Sequence, residues 1–87
     1  MKKIWFDEAW NDYIFSQQQD KKTLNRINAL LKDIERSYFN GIGKPEPLKG
    51  DLSGFWSRRI NDTDRLTYRI NNDILEILSC RGHYDDK

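Results

Sequence analysis

The run Phe39-Asn-Gly-Ile-Gly-Lys-Pro-Glu-Pro47 divides this chain in two. Two glycines followed by two prolines forbid a continuing helix. Before the break, apolar residues recur at helical spacing. After it, they alternate. The pattern therefore places the helices before the break and most of a strand-built layer after it.

In the first part, Leu24, Ile27, Leu30, Leu31 and Ile34 form one stripe, with Lys32, Asp33, Glu35 and Arg36 on the other face. Trp10, Tyr13, Ile14 and Gln17 recur in the same way, with Ala9 beside them. Asp7 and Asp20 are the expected N-caps, and Gln17-Gln18-Gln19 closes the first helix. The spacing predicts two antiparallel amphipathic helices over residues 7–19 and 21–37. Lys2–Phe6, a short apolar run, reads as an edge strand.

In the second part, Lys44–Asp51 reads as a tight loop that carries Lys44, Glu46 and Lys49 outward. Three strands follow, Phe55–Asn61, Arg65–Asn71 and Ile74–Arg81, joined by turn material at 61–64 and 71–73. Short turns between adjacent strands make an antiparallel meander. Alternation puts Trp56 and Ile60 on one face with Leu66, Tyr68 and Ile70. The other face receives Ser57, Arg59, Arg65, Thr67 and Arg69, with Arg59 expected opposite Thr67. The last strand is apolar on both sides, as a central strand would be. The predicted fold is α+β: two N-terminal antiparallel helices packed on one face of a small, mostly antiparallel twisted sheet. Residues 1–87 are expected to form a single domain.

The charge balance narrows the function. Net charge is +1, which argues against nucleic-acid binding by bulk charge. The distribution says more. Residues 1–43 and 44–84 each carry seven basic and six acidic side chains, but five of the seven basic ones in 44–84 are arginine. Arginine's planar fork suits bidentate contact with phosphate. One cysteine, Cys80, excludes an internal disulfide, and one histidine, His83, leaves little for a metal site, so no cofactor is expected. No apolar run approaches a membrane span. The opening Met-Lys-Lys-Ile-Trp-Phe-Asp-Glu has acids where a signal peptide needs apolar residues, and a cytoplasmic location is expected.

Arg59, Arg65 and Arg69 share the face away from the helices. His83 and Tyr84 follow the last strand, and Glu46 and Lys49 lie on the loop before the meander. These are the groups needed to break an RNA phosphodiester without a metal. A base takes the 2′-OH proton, an acid gives a proton to the departing 5′-oxygen, and fixed cations hold the extra transition-state charge. Glu46 fits the base, His83 the acid, and Arg65 with Arg59 and Lys49 the clamp. The plainer readings stand beside this one. Glu46 near two lysines is also a solvated ion pair, and alternating arginines are also a wet sheet face. Tyr84 suits either a core anchor or a base-stacking surface. Trp5, Trp10 and Trp56 read as core packing, and Cys80 as a small buried hydrophobe. On pattern alone a generic binding module remains the stronger reading.

Four motifs then add a resemblance. Gly43-Lys-Pro-Glu-Pro-Leu-Lys49, Leu52-Ser-Gly-Phe-Trp-Ser-Arg-Arg-Ile60, Asp64-Arg-Leu-Thr-Tyr68 and Cys80-Arg-Gly-His-Tyr84 resemble the YoeB toxins of the RelE superfamily. Lys3-Ile-Trp5 and Trp10-Asn-Asp-Tyr13 fit the same pattern. Two departures are Gly82, where a bulkier residue is common, and Asp85-Asp86-Lys87 beyond the usual end. The resemblance implies the toxin of a type II toxin–antitoxin pair, a messenger-RNA endonuclease that works in the ribosomal A site without a metal. It implies Glu46 as general base, His83 as general acid and Arg65 as transition-state cation. Lys49 and Arg59 would support it and Tyr84 would orient the substrate. A YefM-like antitoxin is the implied protein partner, with promoter DNA bound only through that antitoxin. Homodimerisation of the toxin is open. The rival readings are a ParE-like gyrase poison on the same superfold and a non-catalytic RNA-binding module.

Overall fold

The computed structural model describes residues 1–82. Strand β1 (Lys3–Trp5) leads into helices α1 (Asp7–Gln19) and α2 (Lys21–Arg36). The sheet is completed by β2 (Glu46–Pro47), β3 (Trp56–Arg59), β4 (Arg65–Asn71) and β5 (Ile74–Ser79). Its order is β1-β5-β4-β3-β2, antiparallel except where β1 runs parallel to β5. The predicted α+β architecture is the one observed, and the last strand is an interior one.

Helix α2 forms where its stripe predicts. Asp20 caps it, accepting from Lys22 N at 3.1 Å and Thr23 N at 3.2 Å. Those bonds satisfy two N–H groups that the first turn leaves without a partner. Ile27, Leu30, Leu31 and Ile34 are buried against Leu66, Tyr68, Leu75 and Ile77 of the sheet. Helix α1 spans the predicted residues, Asp7–Gln19, but differs from the prediction in its cap and its buried face. Its N-cap is Phe6, whose N–H still pairs with Ile77 O at 2.9 Å, so the strand passes directly into the helix. Asp7 therefore falls within the first turn with Glu8, where the helix dipole favours acids. The buried residues of α1 are Ala9 and Ser16, not the Trp10–Gln17 stripe. Small side chains let α1 sit close to β5. Trp10, read as core, is 47% exposed and packs beside Trp5 and Tyr13.

Two further expectations change. Lys44–Asp51 is not only loop, because Glu46 and Pro47 pair with Ser57 and Trp56 as an edge strand. Proline is tolerated there because an edge strand has no neighbour on one side. The β3–β4 register places Arg59 opposite Arg65, not Thr67, which pairs with Ser57. The cause is the turn: Ile60 N and Asn61 N both donate to Asp64 O, at 3.0 and 3.3 Å, and tighten it. A slip of two residues keeps every side chain on its predicted face.

Arg58 shares the core-facing parity of Trp56 and Ile60 and is fully buried. Its Nη1 donates to Asp33 Oδ2 at 2.7 Å and Ile42 O at 3.1 Å. Its Nη2 donates to Ser37 O and Asn40 O, each at 2.8 Å, and its Nε to Tyr68 Oη at 3.2 Å. One guanidinium thus gathers the carbonyls of the whole segment after α2. Asp33, assigned by pattern to the polar face, is buried here instead. Arg36, Ile42 N–H and Arg58 together hold its carboxyl down at about 2. Gly41 is required at this crossing: its φ is +117°, and a Cβ there would lie 2.0 Å from Asp33 Oδ2.

Candidate active site

Glu46 on β2 is in register with Ser57 on β3, and Ser57 with Thr67 on β4. Arg65 stands two residues before Thr67, on the same face. Its guanidinium reaches diagonally across β3, the geometry in which long side chains meet across a sheet. Nη1 donates to Ser57 Oγ at 3.1 Å and to Glu46 Oε1 at 2.9 Å. The sheet therefore brings together two of the predicted residues, a carboxylate and a guanidinium 19 positions apart in the chain.

Their exposure differs in a useful way. The Arg65 side chain is 13% exposed and the Glu46 side chain 49%. Arg65 is held by the sheet, while Glu46 is free to turn on an edge strand of two residues. A half-exposed ion pair of this kind contributes only about 0.2–1 kcal/mol to stability.

Arg59 is exposed and lies directly opposite Arg65. Together with Asn61 and Asp62 the two arginines line an open, polar depression of about 310 Å³. Two forks on adjacent strands at one rim suit a phosphate, because each presents parallel N–H donors. Lys49 is exposed at the start of the short turn Gly50–Leu52, three residues beyond Glu46 on the same connection. Arg69 is not part of this group. It forms a cross-strand ion pair with Glu76, its Nε donating to Glu76 Oε1 at 2.8 Å, and lies 4.7 Å from the Phe55 ring. His83 and Tyr84 lie outside the described residues. The chain is held as far as Gly82, whose carbonyl accepts from Arg65 N at 2.9 Å.

The free face is not simply wet. Ser57, Thr67 and Ser79, in register across β3, β4 and β5, are fully buried. Elsewhere, Cys80 is buried as expected, donating to Ala9 O at 3.4 Å, and burial pushes its thiol up to about 12. Asp12 accepts from Cys80 N at 3.1 Å, and burial raises its carboxyl above the ordinary range. Among the described residues no group of His, Cys, Asp or Glu is arranged to hold a metal ion. None of their helices is long and apolar enough to cross a membrane.

Residues missed by pattern are Arg58, Asp33 and Asp64. The first two left a signal: a charge at a core-facing strand position, and another beside the α2 stripe. For Asp64 the signal was only its place in a turn.

Comparison with known proteins gives a consistent result. Residues 5–84 match the model of a YoeB-like toxin of bacterial type II toxin-antitoxin systems. The toxin YoeB of Escherichia coli K12 is 54% identical over 84 residues, 97% of this chain and all of that one. A solved YoeB/ParE toxin from Agrobacterium tumefaciens superposes with a TM-score of 0.94 at 45% identity, covering 97% of this chain and 100% of that one. Two Staphylococcus aureus structures, a YoeB-YefM complex and a YoeB dimer, each superpose with a TM-score of 0.90 at 44% and 45% identity, over 97% of this chain and 98% of theirs.

Proposed function

The chain belongs to the YoeB-like toxins of bacterial type II toxin-antitoxin systems, and from that membership we propose that it is a ribosome-dependent messenger-RNA endonuclease. The substrate is messenger RNA in the ribosomal A site. The reaction is a metal-independent transesterification. Glu46 takes the proton of a ribose 2′-OH, and the freed oxygen attacks the adjacent phosphorus. The bond from phosphorus to the 5′-oxygen breaks, and His83 gives that oxygen its proton. The products are a 2′,3′-cyclic phosphate and a 5′-hydroxyl.

One observation carries this reading: Glu46 and Arg65 meet at 2.9 Å on an open sheet face, with Arg59 in register beside them. A phosphate that enters competes with Glu46 for Arg65. The carboxylate, on its short edge strand, is then released toward the 2′-OH next to that phosphate. Arg65 keeps its place because Ser57 Oγ still accepts from it. The guanidinium thus faces the phosphorane-like transition state, where fixed positive charge matters most. Arg59 and Lys49 extend that charge along the RNA, and Tyr84 orients the nucleotide.

The neutralising partner is a YefM-like antitoxin, on the likeness to the S. aureus complex, and promoter DNA is bound only through it. A second copy of the chain is a further partner, on the likeness to the S. aureus dimer. The protein acts in the cytoplasm, where its substrate is. Induced expression in a bacterium tests the reading. Protein synthesis should stop abruptly while DNA stays intact, and Glu46→Ala and His83→Gln should each abolish the arrest while still binding antitoxin. DNA damage with translation continuing would move the chain to the ParE-like gyrase reading. Full toxicity of both variants would overturn the acid–base assignment.

A further inference from the structure

We propose that Asp64 is a positioning residue of the cleavage site: its carboxylate locks Gly82 against Arg65 and so fixes the point from which the chain delivers His83. The proposal rests on the reading of His83 as general acid.

Gly82 is bound at both of its polar backbone atoms by two consecutive residues. Its N–H donates to Asp64 Oδ1 at 2.9 Å, and its carbonyl accepts from Arg65 N at 2.9 Å. Its φ of +91° lies in the left-handed region, where glycine turns without strain. A Cβ there would meet nothing within 4 Å, so the requirement is for backbone conformation rather than for space. The residue bonded to His83 is thereby docked on the residue assigned to the transition state.

Asp64 is itself held rigidly. Asn61 Oδ1 accepts from Asp64 N at 2.7 Å and from Thr63 N at 2.9 Å. The Asp64 carbonyl accepts from Ile60 N and Asn61 N. Asn61 Nδ2 donates to the second carboxylate oxygen at 3.3 Å. One oxygen faces the turn and the other faces Gly82. Upstream, Cys80 N is held by Asp12, and the Arg81 guanidinium lies 3.9 Å from the centre of the Phe15 ring. Residues 80 and 81 are thus tied to α1 and residue 82 to β4, although the β5 ladder ends at Ser79. Beyond the ladder three successive residues are anchored: Cys80 by core burial and Asp12, Arg81 by Phe15, and Gly82 by Asp64 and Arg65. A general acid needs such anchors, because it must come within hydrogen-bond reach of its leaving group. A displacement of about 1 Å costs on the order of 100-fold in rate.

Asp64→Ala keeps every bond made by the backbone of residue 64 and removes those of its carboxylate. Asp64→Asn keeps an oxygen for Gly82 N–H. Both are measured, with wild type and His83→Gln, in single-turnover cleavage on messenger-programmed ribosomes over a range of toxin concentrations. Amide hydrogen exchange at Gly82 is followed in the isolated proteins. Asp64→Ala should lower the saturating rate about 10- to 100-fold, leave the half-saturating concentration within about twofold, and speed exchange at Gly82. Asp64→Asn should restore both readouts to near wild type. If Asp64→Ala does not fold, Asp64→Ser, with a side chain too short to reach Gly82, takes its place with the same expected losses. An alanine variant with wild-type rate and unchanged exchange would overturn the proposal alone, as would an asparagine variant as impaired as alanine. Full activity of His83→Gln would overturn the reading beneath it, and the proposal with it.

Discussion

Arg58→Met removes the guanidinium at the centre of the segment after α2 and keeps most of the side-chain volume. Asp33 then loses its contact with Arg58, and the carbonyls of Ser37, Asn40 and Ile42 lose their donor. Breaking a buried pair from one side costs about 3–5 kcal/mol; Arg36 and Ile42 N–H still face Asp33, but three carbonyls lose their donor at the same time. A chain of 87 residues has a total stability of about 4–13 kcal/mol at typical values per residue. The substitution therefore removes a large share of it. In urea, with a slope of ~1–1.5 kcal/mol/M for a small protein, the midpoint should fall by ~2–5 M. Tryptophan fluorescence is a suitable probe, since Trp56 is on the same strand. The acid limb carries a second signature. Asp33 titrates at about 2 in the folded chain against an ordinary 3.8, so it contributes stability above about pH 4 that is lost as pH falls toward 2. Without Arg58 its carboxyl rises toward the ordinary value, and acid unfolding moves to higher pH. A midpoint shift below ~0.5 M, with an unchanged acid limb, would refute the role given to Arg58.

Arg65→Ala should slow cleavage about 100- to 1,000-fold, equivalent to about 2.7–4 kcal/mol, by analogy with the loss of one oxyanion donor. Its urea midpoint should fall less than that of Arg58→Met, since the carboxylate it pairs with is 49% exposed. Cys80 in the folded protein should resist thiol reagents at pH 8, because its thiol is buried and pushed up to about 12, and should react at once in urea. Ribosome binding should weaken steeply with added salt, with a shallower slope in Arg59→Ala, if the cationic face contacts RNA phosphates. Salt-independent binding measured by sedimentation would argue for an apolar docking surface.

The order of elements was legible because its two periods are separated by a run that no helix crosses. Helix α2 was legible in the same way. Helix α1 was legible in extent but not in face: pattern marks Trp10 and Ile14, whereas the residues it buries are Ala9 and Ser16. Close approach selects small residues, which hydrophobic periodicity does not register. The face shared by Arg59 and Arg65 followed from alternation alone, while their pairing did not, because the turn is set by hydrogen bonds to Asp64 O. Its sequence context marks Glu46 as a loop residue. That it belongs to an edge strand, in register with Ser57, depends on partners remote in sequence. Arg58 and Arg59 are chemically identical neighbours, and only the parity of the strand separates a buried organiser of the fold from an exposed cation at the candidate site.

The most direct test of a metal-independent transesterification is the chemistry of the cut ends. Messenger-programmed ribosomes are incubated with the purified toxin, and the two fragments are mapped and their termini identified by mass. The expected result is a cut within the A-site codon that leaves a 2′,3′-cyclic phosphate and a 5′-hydroxyl, absent with Glu46→Ala and with His83→Gln. A 3′-hydroxyl with a 5′-phosphate, the mark of an attacking water rather than the ribose, would contradict it.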